Sequence, residues 1–416
     1  MKWTAVAAAL LNAALCAAGG ASAEPTREER VAEKAREIRL RLDFDGAKFS
    51  GPAWDRLVAE GRAAQFFLLG EEHGVAETPK LAAALFEALA PAGYAKFAIE
   101  VSPPVAAALD DAARGGEEGL RALYAEAGGP PAFFGMKEEA DMVVAVRAAA
   151  PRKDDLFWGV DYEVLSDRLL IAKLEDGRKP KAAQEALADL RAASDAAWKQ
   201  YEETRNPQFI FSFSGDPALV RGVRAAWPNA DAESASILKT LEETLEINRL
   251  WVKGDGFGSN ERRSAFLREN FLEAWRAEKA SGRGPKVFLK LGASHVVRGR
   301  NMSETYDIGA LVPEIAAIEG GRAFHLLVLP GPGAPTAVFD PATLRTRPGP
   351  PKDNYLEGVE AITGAAHEDA FTLIDLRPLR AIVGRARLET HPELIRVVHG
   401  FDAVLVLTGS TASENF

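Results

Sequence analysis

The feature that most constrains this chain is a series of short, unbroken apolar runs, each ending near a Gly, Asp, Glu or His. The first four are Gln65–Gly70 (QFFLLG), Lys96–Val101 (KFAIEV), Leu156–Asp161 (LFWGVD) and Lys286–Gly292 (KVFLKLG). Ala323–Leu329, Phe371–Asp375 and Ala403–Leu407 follow. Such segments have no solvated face, so they suit strands buried on both sides, as in a parallel sheet. Helix-period segments, Lys80–Leu89 and Val105–Arg114, lie between the early runs. Alternation of this kind predicts an α/β fold with a central, mostly parallel sheet flanked by helices. Sites in these sheets form beyond the carboxyl ends of the strands, so polar residues just after a run carry the most information.

From about residue 162 to 284 the alternation breaks into helices, read at Lys181–Tyr201, Ser236–Trp251 and Asn260–Trp275. On the first, Ala183, Leu187, Leu190, Ala197 and Tyr201 share one face. The expectation is a helical insertion covering the carboxyl edge of the sheet. Gly254-Asp255-Gly256-Phe257-Gly258 joins two of these helices and follows no strand, which argues against a nucleotide loop. Residues 24–63 read as a charged, Ala-rich helical segment, with Ser50-Gly51-Pro52 starting a second short helix. The α/β domain is then 64–416.

Residues 1–23 read as a signal peptide: Lys2, an apolar stretch Ala5–Ala17, and Ala21-Ser22-Ala23 as a cleavage site. The stretch is too short for a permanent anchor. Cys16 is the sole cysteine, and Leu15 before it fits lipoprotein processing poorly, so cleavage after Ala23 and a periplasmic or secreted location are expected. The mature chain then has no thiol for disulfide or zinc–thiolate chemistry. Its net charge of −10 becomes −11 once Lys2 is removed. Without Lys/Arg blocks, that balance argues against nucleic acid and anionic membrane surfaces and leaves a small molecule as the expected partner.

Leu69-Gly70-Glu71-Glu72-His73-Gly74 carries the strongest chemical signal. A carboxylate two residues from a histidine can orient the ring, raise its basicity or join it in binding a cation. Glu77 falls one helical turn beyond His73. Glu100 closes the second run, where a carboxylate needs a partner or the mouth of a site. His295 follows the fourth run in Gly292-Ala293-Ser294-His295-Val296, and Asp161 ends the third. Each has a structural counter-reading as a cap or a satisfied buried group. His325, His367, His391 and His399 read as structural or solvated. No G-x-S-x-G or H-E-x-x-H motif occurs.

In order, these blocks resemble the erythromycin esterase superfamily, which includes the ChaN-type haem-binding lipoproteins. Leu69–Gly74 with Glu77 is similar to its first block, and Glu100 to its strand-end glutamate. Arg263, Leu267 and Asn270 resemble its R-x-x-x-M-x-x-N helix. His295-Val296 resembles its second histidine block, Ile308-Gly309-Ala310-Leu311 a glycine block and Phe401-Asp402-Ala403 a terminal strand. The likeness spans roughly Gln65 to Thr408. One residue separates Glu71 from His73, as in the haem-binding lipoproteins, where the esterases have two. Gly292 and Ala293 replace a further His and Asn. Both departures weigh against macrolide specificity.

The resemblance implies an ester or amide hydrolase. His73 would be general base, with Glu71 and Glu100 charging the site and His295 stabilising an oxyanion. Arg263, Asn270, Glu77 and Asp161 would meet the substrate. The alternatives are a divalent metal (zinc or manganese) on Glu71, His73, Glu100 and His295, a haem- or iron-binding envelope protein, or an inactive binding protein on the same fold.

Overall fold

A computed structural model describes residues 24–282, 284–351, 358–384 and 390–416. The signal-peptide reading of residues 1–23, Cys16 included, lies outside the described residues. Among those described, the strands are β1 (Leu40–Phe44), β2 (Phe49–Ser50), β3 (Phe66–Glu71), β4 (Tyr94–Ile99), β5 (Phe157–Gly159), β6 (Lys286–Gly292), β7 (Ala323–Pro330), β8 (Thr336–Asp340), β9 (Arg345–Gly349), β10 (Phe371–Asp375) and β11 (Ala403–Leu407). Nine of them form one sheet in the order β2-β1-β10-β11-β7-β3-β6-β4-β5. From β11 to β5 every pairing is parallel, whereas β10 and β1 add antiparallel partners at the far edge. Strands β8 and β9 make a separate hairpin.

All seven apolar runs become strands, and their side chains divide between two cores. Phe67 and Leu69 of β3, Phe97 and Ile99 of β4 and Phe288 of β6 enter the core on one face. Phe66 and Leu68, Ala98, and Val287, Leu289 and Leu291 enter the core on the other. This is the period-two alternation of a strand with both faces covered. Helices Glu77–Leu89 and Lys137–Ala149 lie over the first face, and Gly256–Ala280 and Ile308–Ile318 over the second.

The helical insertion takes the place expected of it, with helices from Asp167–Asp176 through Lys181–Thr204 and Ala232–Val252 to Gly256–Ala280. One reading needs correction. The stretch 24–63 is not helical throughout: between helices Arg27–Ile38 and Pro52–Ala63 it supplies β1 and β2, and β1 extends the main sheet beside β10. Its sequence Leu-Arg-Leu-Asp-Phe alternates apolar and polar, the mark of a half-buried strand rather than of a charged helix. β10 is also antiparallel to both its neighbours. No described helix is long and apolar enough to cross a membrane.

The turn after β3 depends on Gly74. Its φ is +85°, and a Cβ there would stand 2.6 Å from the backbone nitrogen and oxygen of Ala337 on β8. The Gly74 carbonyl accepts from Ala337 N–H (2.8 Å) and from Ser413 N–H (2.9 Å), tying the turn to the hairpin and to the last residues. Gly74→Ala is expected to destabilise the protein by about 1–3 kcal/mol, measured by denaturant unfolding. A variant as stable as the parent would contradict this account of the turn.

Candidate active site

Four adjacent parallel strands end side by side, and each delivers polar groups to the same edge. β3 supplies Glu71 and, one turn on, His73, while β4 leads to Glu100 and β5 to Asp161. β6 brings Lys290, and the short helix after it brings His295. Lys290 shares a sheet face with Phe288, and Glu71 shares the same face with Phe67 and Leu69, so both charges are driven into an apolar core. They pair there because an unpaired buried charge is far costlier.

Two linked arrays result. In the first, Lys290 Nζ donates to Glu71 Oε1 and to Glu139 Oε1 on helix Lys137–Ala149, each at 2.6 Å. His73 Nδ1–H donates to the same Glu71 Oε1 at 2.9 Å. In the second, Glu100 is the hub. The Gly292 N–H donates to its Oε2 at 2.5 Å and the Arg263 guanidinium to its Oε1 at 2.9 Å. His295 Nε2 lies 3.4 Å from Oε1 and His73 Nε2 lies 3.7 Å from Oε2. Arg263 also grips Asp161 with two donors, at 3.0 and 2.5 Å. His295 Nδ1–H donates to Asp307 Oδ2 at 2.9 Å. The four residues expected at the centre, Glu71, His73, Glu100 and His295, therefore converge, with Arg263 and Asp161 against them.

The remaining two expected contacts lie elsewhere. Both carboxylate oxygens of Glu77 are taken by Thr411, one by its N–H (3.0 Å) and one by its hydroxyl (2.9 Å). Asn270 donates to the Val160 carbonyl at 3.1 Å and steadies the end of β5. Each holds backbone. Sequence reading missed Lys290, Glu139 and Asp307. A lysine inside KVFLKLG was a usable signal, since it must find a carboxylate once buried. Glu139 left no trace, and Asp307 reads only as the cap of helix Ile308–Ile318, a role it also fills.

The arrays set the protonation states. Burial pushes the His73 ring toward neutrality, but the Glu100 and Glu71 carboxylates outweigh it and raise its pKa to about 9, with Lys290 opposing them. For His295, burial and Arg263 oppose protonation, yet Asp307 and Glu100 raise it to about 10. Burial acts to raise Glu100 as well, but His295, His73 and Arg263 hold it well below the usual carboxylate range. Glu71 likewise stays low against burial because of Lys290 and His73. Glu139 goes the other way: burial, helped by Glu71 and opposed by Lys290, lifts it to about 7. His73 therefore favours the imidazolium at neutral pH.

Gly292 makes room for this geometry. A Cβ there would lie 2.9 Å from His73 Nε2 and 3.3 Å from Glu100 Oε2. The His73 ring opens onto a cavity of about 990 Å³ between the helical insertion and the β8–β9 hairpin. Its walls are mostly apolar, among them Phe133, Met136, Leu165, Trp198, Ile210 and Val338.

One cluster of side chains at this edge could hold a divalent metal. Glu100, Asp161 and His295 offer ligand atoms within 4.8 Å of one another. Both carboxylates also pair with the Arg263 guanidinium, so a cation there would compete with Arg263 for them. His73 and His295 each commit Nδ1 to a carboxylate and turn Nε2 toward Glu100.

Arg263 is thus the counter-ion on which the second array rests. Arg263→Met is expected to cost about 3–5 kcal/mol of unfolding free energy, since Glu100 and Asp161 would stay buried without it. Arg263→Lys recovers only part, lacking the two-pronged donor geometry. An unchanged denaturation midpoint in the Met variant would refute that role.

No protein-family model and no curated relative matches this chain. Solved structures do. A variant of the erythromycin esterase EreC, in its open conformation, matches with a TM-score of 0.60 at 15% identity, covering 90% of this chain and 98% of its own. A Bacillus cereus protein matches with a TM-score of 0.60 at 13% identity, over 94% of this chain and 100% of its own. A succinoglycan biosynthesis protein gives 0.58 at 15% identity, over 95% and 100%. Identities this low speak to fold alone. The chain shares the fold of these structures, one of which is an erythromycin esterase.

Proposed function

We propose that this protein is a hydrolase that cleaves an ester or amide bond in a small, largely apolar molecule, with His73 accepting the proton of the attacking water. The observation that carries the reading is the cavity of about 990 Å³ walled by apolar side chains and bounded at the sheet edge by His73. Sites of this size and character bury most of a small ligand and leave a few polar groups to direct it.

In the reactive form His73 is neutral. Its Nδ1–H stays on Glu71, which leaves the lone pair on Nε2, the nitrogen that faces Glu100 and Gly292. Water at Nε2 gives up its proton as it attacks the carbonyl, and the imidazolium formed is stabilised by the same Glu71 and Glu100 charges that raise its pKa. A positioned base of this kind contributes about 10²–10⁴ in rate. His295, kept cationic by Asp307 and Glu100, offers positive charge to the developing oxyanion. The proton then returns from His73 to the leaving group.

The pH dependence follows from the sign of the shift. Only the deprotonated fraction of His73 acts as a base, and its pKa in the free protein is raised to about 9. kcat/KM therefore climbs about tenfold per pH unit through neutrality and levels off above that value. A flat or falling profile would remove His73 as the base. Turnover of a panel of aryl esters and lactones is expected from the parent protein and lost in His73→Ala, so equal rates in the two would end the hydrolase reading. Export belongs to the same proposal: a periplasmic or secreted form beginning at Glu24 is expected from the host, and an unprocessed cytoplasmic form would refute it.

A further inference from the structure

Behind the His73 ring lies a second, much smaller chamber, bounded by Glu71, Glu100, Glu139 and Lys290. The large apolar cavity and this charged chamber share two lining residues, His73 and Phe133. The Phe133 ring stacks on the imidazole, with centroids 4.1 Å apart and planes 18° from parallel. It covers one face of the ring and stands between the apolar space and the charges.

Phe133 is held there by a strained backbone. Its φ is +65°, and Phe134 N–H donates to the Ala132 carbonyl at 2.9 Å, closing a three-residue turn around it. A bulky side chain rarely adopts this positive-φ turn without a reason in its surroundings. The flanks of the turn are fixed. Arg168 donates to the Gly128 carbonyl at 2.7 Å. Met136 N–H donates to the Phe133 carbonyl at 3.0 Å, and Phe416 N–H to the Gly135 carbonyl at 2.9 Å. The rest of the segment is Gly129-Pro130-Pro131-Ala132, so the strain is confined to the residue that touches His73. Strain that persists beside a reactive group points to a role for the residue bearing it.

We propose that Phe133 is a specificity-determining partition. Its ring covers one face of the imidazole and closes the charged chamber, toward which Nε2 turns, against the cavity, so a substrate carbonyl reaches Nε2 only by displacing it. The consequence is selection by apolar bulk. An acyl group that replaces the stacking surface of the phenyl ring compensates for moving it, whereas a small polar ester cannot. Selection among substrates rests on the hydrolase reading above, but occlusion of His73 does not, and the two are separable by experiment.

The test uses the full-length mature protein and diethyl pyrocarbonate, which acylates accessible neutral imidazoles. Mass spectrometry follows the modification of His73 relative to the exposed His391 in the same sample. Phe133→Ala is expected to raise the His73 rate about fivefold or more, and Phe133→Tyr to leave it near the parent value. Equal His73 rates in the parent and in a folded Phe133→Ala protein overturn the partition. A second arm compares kcat/KM for aryl esters of phenylacetate and of acetate. The parent's preference for the bulkier acyl group is expected to fall about tenfold in Phe133→Ala. An unchanged ratio overturns the selective role. No turnover of either ester by the parent, with His73 still protected, overturns the hydrolase reading and leaves the occlusion standing.

Discussion

The Lys290 ammonium sits between the Glu71 and Glu139 carboxylates where β6 runs beside β3, and the upper part of the site depends on that contact. Burial alone would drive Glu71 to its neutral form, which has no charge with which to hold an imidazolium. With Lys290 against it, Glu71 stays ionised and fixes His73 by Nδ1. The ring orientation so imposed turns Nε2 to Glu100. Glu100 in turn is kept ionised by His295, His73 and Arg263. Each charge in the row is tolerated only because the next one is present. Attraction in such a site is strong because water is excluded, and removal of any member exposes its partner to the full desolvation penalty.

Much of this was legible from the residues. The apolar runs fixed where the strands are, and the rule that sites form at carboxyl ends then singled out Glu71, His73, Glu100, Asp161 and His295. Arg263 emerged from the resemblance of its helix, with Leu267 and Asn270, to the R-x-x-x-M-x-x-N segment. The rest was hidden for definite reasons. Glu139 sits on an amphipathic helix whose other acidic residues face solvent or backbone, so nothing local distinguishes it. Glu77 and Asn270 have the residue types and spacing of site groups but spend their hydrogen bonds on the backbone of Thr411 and Val160, which depends on tertiary placement. Glu71 beside His73 gave a local reason for a basic ring, but the part played by Glu100, which reaches both histidines from another strand, was out of reach. β1 was missed because its charged flanks masked a five-residue alternation.

Two sequence departures from the esterases, one residue instead of two between Glu71 and His73, and glycine at 292, become a single feature in three dimensions. The space that a side chain at 292 would fill is where His73 Nε2 stands. The one-residue step from Glu71 to His73 and the missing side chain at 292 therefore fit each other, and the backbone N–H of Gly292 serves Glu100.

The strand order has a consequence for how such a protein comes to be formed. β3 is among the earliest strands in the chain, yet its two neighbours in the sheet are β6 and β7. The contact between Lys290 and Glu71 joins residues 219 positions apart. A fully apolar early strand must therefore wait, without a partner, while the whole helical insertion is synthesised. Topologies dominated by such distant pairings fold slowly and expose sticky edges on the way. Until β6 docks there is no ammonium beside Glu71 and no Gly292 N–H to hold Glu100.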